Sequence, residues 1–122
     1  MYTVTVKDHM MIAHSLPDPF FGDAQAMHGA TYAVEAEFGS ETLTAQNVVV
    51  DIGAACTALA DIMKTLTLQN LDDLPQFKGQ LTTTEFLAHH IHTALRESIT
   101  NVTYIKVTLH ESPTAMASYS DQ

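Results

Sequence analysis

The stretch Tyr32-Ala33-Val34-Glu35-Ala36-Glu37-Phe38-Gly39 reads as a strand with two chemically different faces. Tyr32, Val34, Ala36 and Phe38 fall on one side and Ala33, Glu35 and Glu37 on the other, the period of two that half burial produces, and Gly39 ends the run. Upstream, Tyr2, Val4 and Val6 alternate with Thr3 and Thr5, which predicts a first strand running to about Ala13. Between the two lie Ser15-Leu16-Pro17-Asp18-Pro19 and Gly22-Asp23, residues that favour turns over regular elements.

Downstream of Gly39, the β-branched Val48-Val49-Val50-Asp51-Ile52 predicts a strand extension that hands over to a helix. Ala55, Leu59, Ile62, Met63 and Leu66 then recur at helical spacing. Residues 68 to 79 carry Asn70, Asp72, Asp73, Pro75 and Gly79 and read as a loop. Thr82 and Glu85 fit a capping box, and Phe86, Leu87, Ile91 and Leu95 place a second helix up to about Arg96. Thr103, Ile105, Val107 and Leu109 alternate with Tyr104, Lys106 and Thr108, and a short strand is expected after Pro113. The order β-β-α-α-β-β predicts an α+β fold, an antiparallel four-stranded sheet with two helices on one face, in one domain over residues 1–122. Such a sheet leaves edges that need covering, and an edge-to-edge oligomer would cover them.

The 122 residues carry 14 acidic against 5 basic side chains, a formal charge of −9, and 46% of them are hydrophobic. A chain of this size and apolar content builds a core without staples. The acid excess opposes a phosphate backbone, so nucleic acid is not an expected partner. No apolar run reaches membrane-spanning length and the N-terminus lacks a signal-peptide core, so no membrane partner and a cytoplasmic location are expected. The lone Cys56 cannot form an internal disulfide, and in Gly53-Ala54-Ala55-Cys56 it reads as a small core residue. No Gly-rich phosphate loop, Gly-x-Ser-x-Gly elbow or Cys-x-x-Cys pair occurs.

Seven histidines carry the candidate chemistry. His89 and His92, three apart on the second helix, read as a solvated face, because no third ligand stands nearby at helical spacing. His14 and His28 sit where the first strand ends and the second begins, so a hairpin would bring their imidazoles together. A metal there needs a third donor, for which His9, Asp18 and Asp23 are the candidates, while the plain alternative is two polar residues at a strand end. Glu111 follows His110 at the end of a strand, where a carboxylate can accept two parallel hydrogen bonds from an amidine-like edge such as that of a pterin or guanine. The alternative is an ordinary exposed glutamate.

Read in order, the motifs resemble the 6-pyruvoyl-tetrahydropterin synthase and 6-carboxytetrahydropterin synthase family over nearly the whole length. Met11-Ile12-Ala13-His14 resembles its aromatic-x-Ala-x-His strand end, His28-Gly29-Ala30-Thr31-Tyr32 its His-Gly-His-Asn-Tyr segment, and Val49-Val50-Asp51-Ile52 its Val-x-Asp-Phe run. Asn70-Leu71-Asp72-Asp73-Leu74-Pro75-Gln76-Phe77 resembles the loop entering its second helix, and Thr83-Thr84-Glu85 its Thr-x-Glu helix start. His110-Glu111 with Ala115 and Tyr119 resembles its C-terminal Glu strand. The resemblance implies a tunnel fold, in which trimers close a twelve-stranded barrel and two trimers stack as a homohexamer. It also implies a pterin-like ligand anchored by a Glu, zinc held by three histidines, and lyase chemistry run by a Cys and an Asp-His pair.

By that resemblance, His14 and His28 match the first two zinc ligands, and the third falls on Ala30, which has no donor atom. The Cys falls on Ala24, the Leu-Asp-His motif on Leu66-Thr67-Leu68, and the pterin-anchoring Glu on Glu111. No catalytic residue is thereby identified. Three functions follow: a divergent relative that binds a pterin or related heterocycle, an active synthase of the standard lyase type acting on dihydroneopterin triphosphate, or a non-catalytic assembly subunit.

Overall fold

A computed structural model describes residues 1–122. In chain order the elements are β1 (Tyr2–His14), a 3-10 segment (Pro19–Gln25), β2 (His28–Ser40), α1 (Ile52–Leu66), β3 (Gln69–Asn70), 3-10 turns at Leu71–Asp73 and Pro75–Phe77, α2 (Thr84–Ser98), β4 (Tyr104–Ser112) and β5 (Ala115–Ser120). The strands form one sheet in the order β3-β1-β2-β4-β5. β1 and β2 pair antiparallel from Tyr2↔Ser40 to His14↔His28, so the two ends that adjoin the connecting segment meet at the two histidines.

The alternation in the sequence becomes the two faces of this sheet. Val6, Met10 and Ile12 of β1, Tyr32, Val34, Ala36 and Phe38 of β2, and Ile105, Val107 and Leu109 of β4 are buried on one face. Against it pack Ala55, Leu59, Met63 and Leu66 of α1 and Leu87, Ala88, Ile91 and Leu95 of α2, each set a stripe of three-to-four residue spacing. α1 lies on β1 and α2 on β4 and β5. Asp51 caps α1 by accepting from the Gly53 amide at 3.0 Å, and Thr83 caps α2 by accepting from Phe86 at 3.1 Å.

Several expectations are corrected. The sheet has five strands, because the chain leaving α1 adds the two residues of β3 in parallel beside Ile12 and Ala13 of β1. β2 begins at His28, four residues before the alternation that announces it, since Gly29, Ala30 and Thr31 find partners in Ala13, Ile12 and Met11. Val48–Ile52 forms no strand extension. Thr44 and Val48 close a turn, Asn47 adopts a φ of 63°, and the β-branched run has no neighbouring strand to pair with. The helix cap is Thr83, not Thr82, whose hydroxyl turns inward. Cys56 is exposed, because the buried stripe of α1 runs through Ala55 and Leu59 and leaves position 56 about 100° away. His92 is buried at 5% exposure, contrary to a solvated face, and its ring packs on Tyr119 of β5. None of the helices is long and apolar enough to cross a membrane.

Candidate functional site

The register pair His14↔His28 places two imidazoles side by side at the end of the β1–β2 hairpin, with ring centroids 4.6 Å apart at 64°. Both rings are held through Nδ1. His28 donates from Nδ1 to the Ala26 carbonyl at 2.9 Å, and His14 Nδ1 lies 3.0 Å from the buried Thr82 hydroxyl. A carbonyl only accepts, so Nδ1 of His28 is the donor in this contact and Nε2 is the ring nitrogen left free to face a ligand. Burial, with repulsion from His28, holds the His14 imidazole below its ordinary pKa against the pull of Asp72, Thr82 and Glu111. His14 is therefore neutral at physiological pH.

Ala30 continues the same face of β2 two residues beyond His28 and stands opposite Ile12. Two imidazoles are gathered here, and the third position on that face carries a methyl group. The three donors considered from the sequence do not complete it. His9 lies on the opposite face of β1, in an open cavity with Lys7 and Glu35; Asp18 caps the 3-10 segment through the Phe20 amide; Asp23 is exposed in that segment. Asp72, whose charge reaches His14, is already engaged by the amide and hydroxyl of Ser15. No three His, Cys, Asp or Glu side chains stand together as a metal-holding group. The residues present supply two of the three donors that a catalytic zinc usually takes and do not fit a complete site.

Tyr32, next on this face after Ala30, is fully buried, with its hydroxyl 3.4 Å from Thr84 Oγ1. Burial pushes its phenol pKa up, and the charges of Glu111 and Glu85 push the same way. Glu111 is exposed near the end of β4, where a bulge between His110 and Ser112 interrupts pairing with β5. Its charge is felt by both Tyr32 and His14, and the residue also lines the open cavity that holds Lys7, His9 and Glu35. From Tyr32 to His28 is four residues along β2, about 13 Å at a strand's rise per residue.

Residues 67 and 68 are stitched to β1 beside this surface. Thr67 Oγ1 accepts from the Met11 amide at 3.0 Å, and the Leu68 amide donates to the Met11 carbonyl at 2.6 Å. Leu68 is held at a φ of 61° with its side chain 79% exposed. A left-handed conformation is costly for a branched aliphatic residue, and no buried packing repays it. On the other face of the sheet, Glu35 bridges Lys7 Nζ at 3.2 Å and His110 Nε2 at 3.3 Å, and contact first with His110 and then with Lys7 holds its carboxyl below the usual range. Thr82 is the site residue the sequence reading missed. One residue before a helix cap, it carries no local signal that its hydroxyl reaches a histidine 68 positions away.

The model for the 6-pyruvoyl tetrahydropterin synthase family matches residues 3–122. Among solved structures, the Caenorhabditis elegans 6-pyruvoyl tetrahydropterin synthase superposes with a TM-score of 0.88 at 24% identity, covering 99% of this chain and 96% of that one. The Plasmodium vivax 6-pyruvoyl tetrahydropterin synthase superposes at 0.80 with 18% identity, over 98% and 96% of the two chains. An uncharacterized protein from Wolinella succinogenes superposes at 0.74 with 17% identity, over 99% and 98%. No curated protein matches the chain. The fold is thus the tunnel fold that the sequence motifs imply, and with a family match spanning nearly every residue the chain belongs to the 6-pyruvoyl tetrahydropterin synthase family.

Proposed function

We propose that this protein binds a pterin or closely related heterocycle through Glu111 and does not carry out the family's standard lyase reaction. The supporting observation is the contrast between what the site keeps and what it lacks. Glu111 remains at the end of β4, with its charge reaching Tyr32 and His14. Positions 24, 30, 67 and 68, on which the resemblance places a thiol, an imidazole and an Asp-His pair, are Ala, Ala, Thr and Leu. None of these titrates near neutral pH, and positioned acid-base groups contribute roughly 10² to 10⁴ in rate. Thr67 and Leu68 keep hydrogen bonds to Met11, so the backbone there is retained while its side-chain chemistry is not.

The test is titration calorimetry of dihydroneopterin triphosphate into the protein, paired with mass-spectrometric product analysis. Binding without turnover is expected. Glu111→Gln, which loses one of two charge-assisted hydrogen bonds of roughly 2 kcal/mol, should weaken binding about thirtyfold. Turnover abolished in the variant would establish the lyase instead, and no binding by either protein would leave an assembly subunit. The family's trimer and hexamer are part of this reading. β5 is an edge strand, and β3 covers β1 only at Ile12 and Ala13, so both sheet edges invite a second copy. Light scattering should give six chains per particle, and a monomer would refute the assembly.

A further inference from the structure

We propose that the His14–His28 centre holds no resident metal in this protein and that residue 30 alone decides this. The two rings already have the form of metal ligands, with Nδ1 of each engaged by Ala26 or Thr82 and the Nε2 atoms left over. What is missing is a donor within reach. Ile12 and Leu16 beside His14 are buried and aliphatic, Asp72 is engaged by Ser15, and no third His, Cys, Asp or Glu joins the pair. Ala30 occupies the one remaining place on the face, two residues from His28 along β2 and diagonal to His14 across the hairpin. Those spacings, about 7 Å each between backbone positions, are ones that three imidazoles can bridge to a tetrahedral ion.

Ala30 is also only half-buried, packed at the margin of the core, so it is not among the fully enclosed positions. The metal-free pair is a hydrogen-bonding unit, with His28 Nε2 free to face a polar group of a ligand. This holds whether or not the ligand is a pterin, because metal content is read without ligand.

The experiment measures zinc by mass spectrometry in protein from zinc-supplemented cells after gel filtration in a mild chelator. Wild type is compared with Ala30→His and Ala30→Cys, and cobalt(II) absorption serves as a second readout. The expected result is substoichiometric zinc in wild type and about one zinc per chain in the variants, with the visible absorption of a tetrahedral cobalt site. Adding His28→Ala to Ala30→His should remove both signals. Stoichiometric zinc in wild type that His14→Ala or His28→Ala abolishes would overturn the proposal, since a donor from elsewhere would then complete the site. Folded variants, checked by circular dichroism, that gain neither zinc nor the cobalt spectrum would overturn the role of residue 30. If neither variant folds, the wild-type zinc content decides the question by itself.

Discussion

Asp121→Ala removes the group that ties the end of the chain to α2 and β4. One carboxylate oxygen accepts from Arg96 Nε at 2.7 Å and lies 3.2 Å from His92 Nε2, and the other accepts from the Ile105 amide at 2.9 Å. Burial pushes this carboxyl pKa up, but Arg96, the Ile105 amide and His92 together outweigh it and hold the group below its ordinary value. A hydrogen bond to a charged group is worth roughly 1.5 to 3 kcal/mol. Here the sum is reduced because the Asp121 side chain is 27% exposed and Arg96 keeps the carbonyls of Val102 and Thr103. A net loss of about 2 kcal/mol is expected, which at an unfolding entropy near 2.1 cal/mol/K per residue lowers Tm by about 8 °C for a chain of this length. The assay is thermal melting followed by circular dichroism at fixed chain concentration, since assembly makes Tm depend on concentration. A depressed carboxyl contributes stability above its unfolded pKa, about 3.9, and loses it as pH falls through the lower folded value. The gap between wild type and variant should therefore be full at pH 7 and shrink in acid below about pH 4. A shift under about 2 °C at pH 7, or one that persists undiminished at low pH, would refute this account of the C-terminal anchor.

Gly39→Ala places a methyl group against the Tyr104 ring, whose hydroxyl is fixed on Glu37 at 2.7 Å and which is 4% exposed, so the ring has little freedom to retreat. A loss of about 1 to 3 kcal/mol is expected from urea unfolding, and an unchanged midpoint would show that the strand shifts freely. Leu68→Gly acts in the opposite sense. It relieves the left-handed φ of 61° at a residue 79% exposed, and the gain, less the entropy cost of glycine, should raise stability by about 0.5 kcal/mol. A lower midpoint would mean that the exposed leucine makes stabilising contacts in the assembled protein.

Strands and helices were legible wherever one face is buried. Tyr32 to Phe38 and Ile105 to Leu109 alternate because alternate side chains enter the core, and α1 and α2 show their stripes for the same reason. Failures fell where partners rather than periodicity decide. Val48–Ile52 has strand composition without a strand beside it, while Gln69–Asn70 pairs with β1 despite its turn-like neighbours. His89 and His92 lie three apart on one helix and both rings pack on Tyr119 of β5, yet only His92 is buried, where it also lies against the Asp121 carboxylate of the terminal segment. Nothing within the helix sequence reports that cover.

By itself the sequence determined the four longer strands and both helices, their order, the family motifs and the meeting of His14 with His28, since antiparallel pairing of consecutive strands brings together the two ends that adjoin their connection. It also determined what the site lacks, because an alanine or leucine carries no donor in any conformation. Only the tertiary structure decided that Thr82 rather than a local neighbour holds His14, that His9, Asp18 and Asp23 fail to complete the pair, and that Asp72 is taken by Ser15. Those outcomes depend on contacts between residues tens of positions apart, and such distances are set by how the helices and loops pack onto the sheet, which no local pattern encodes.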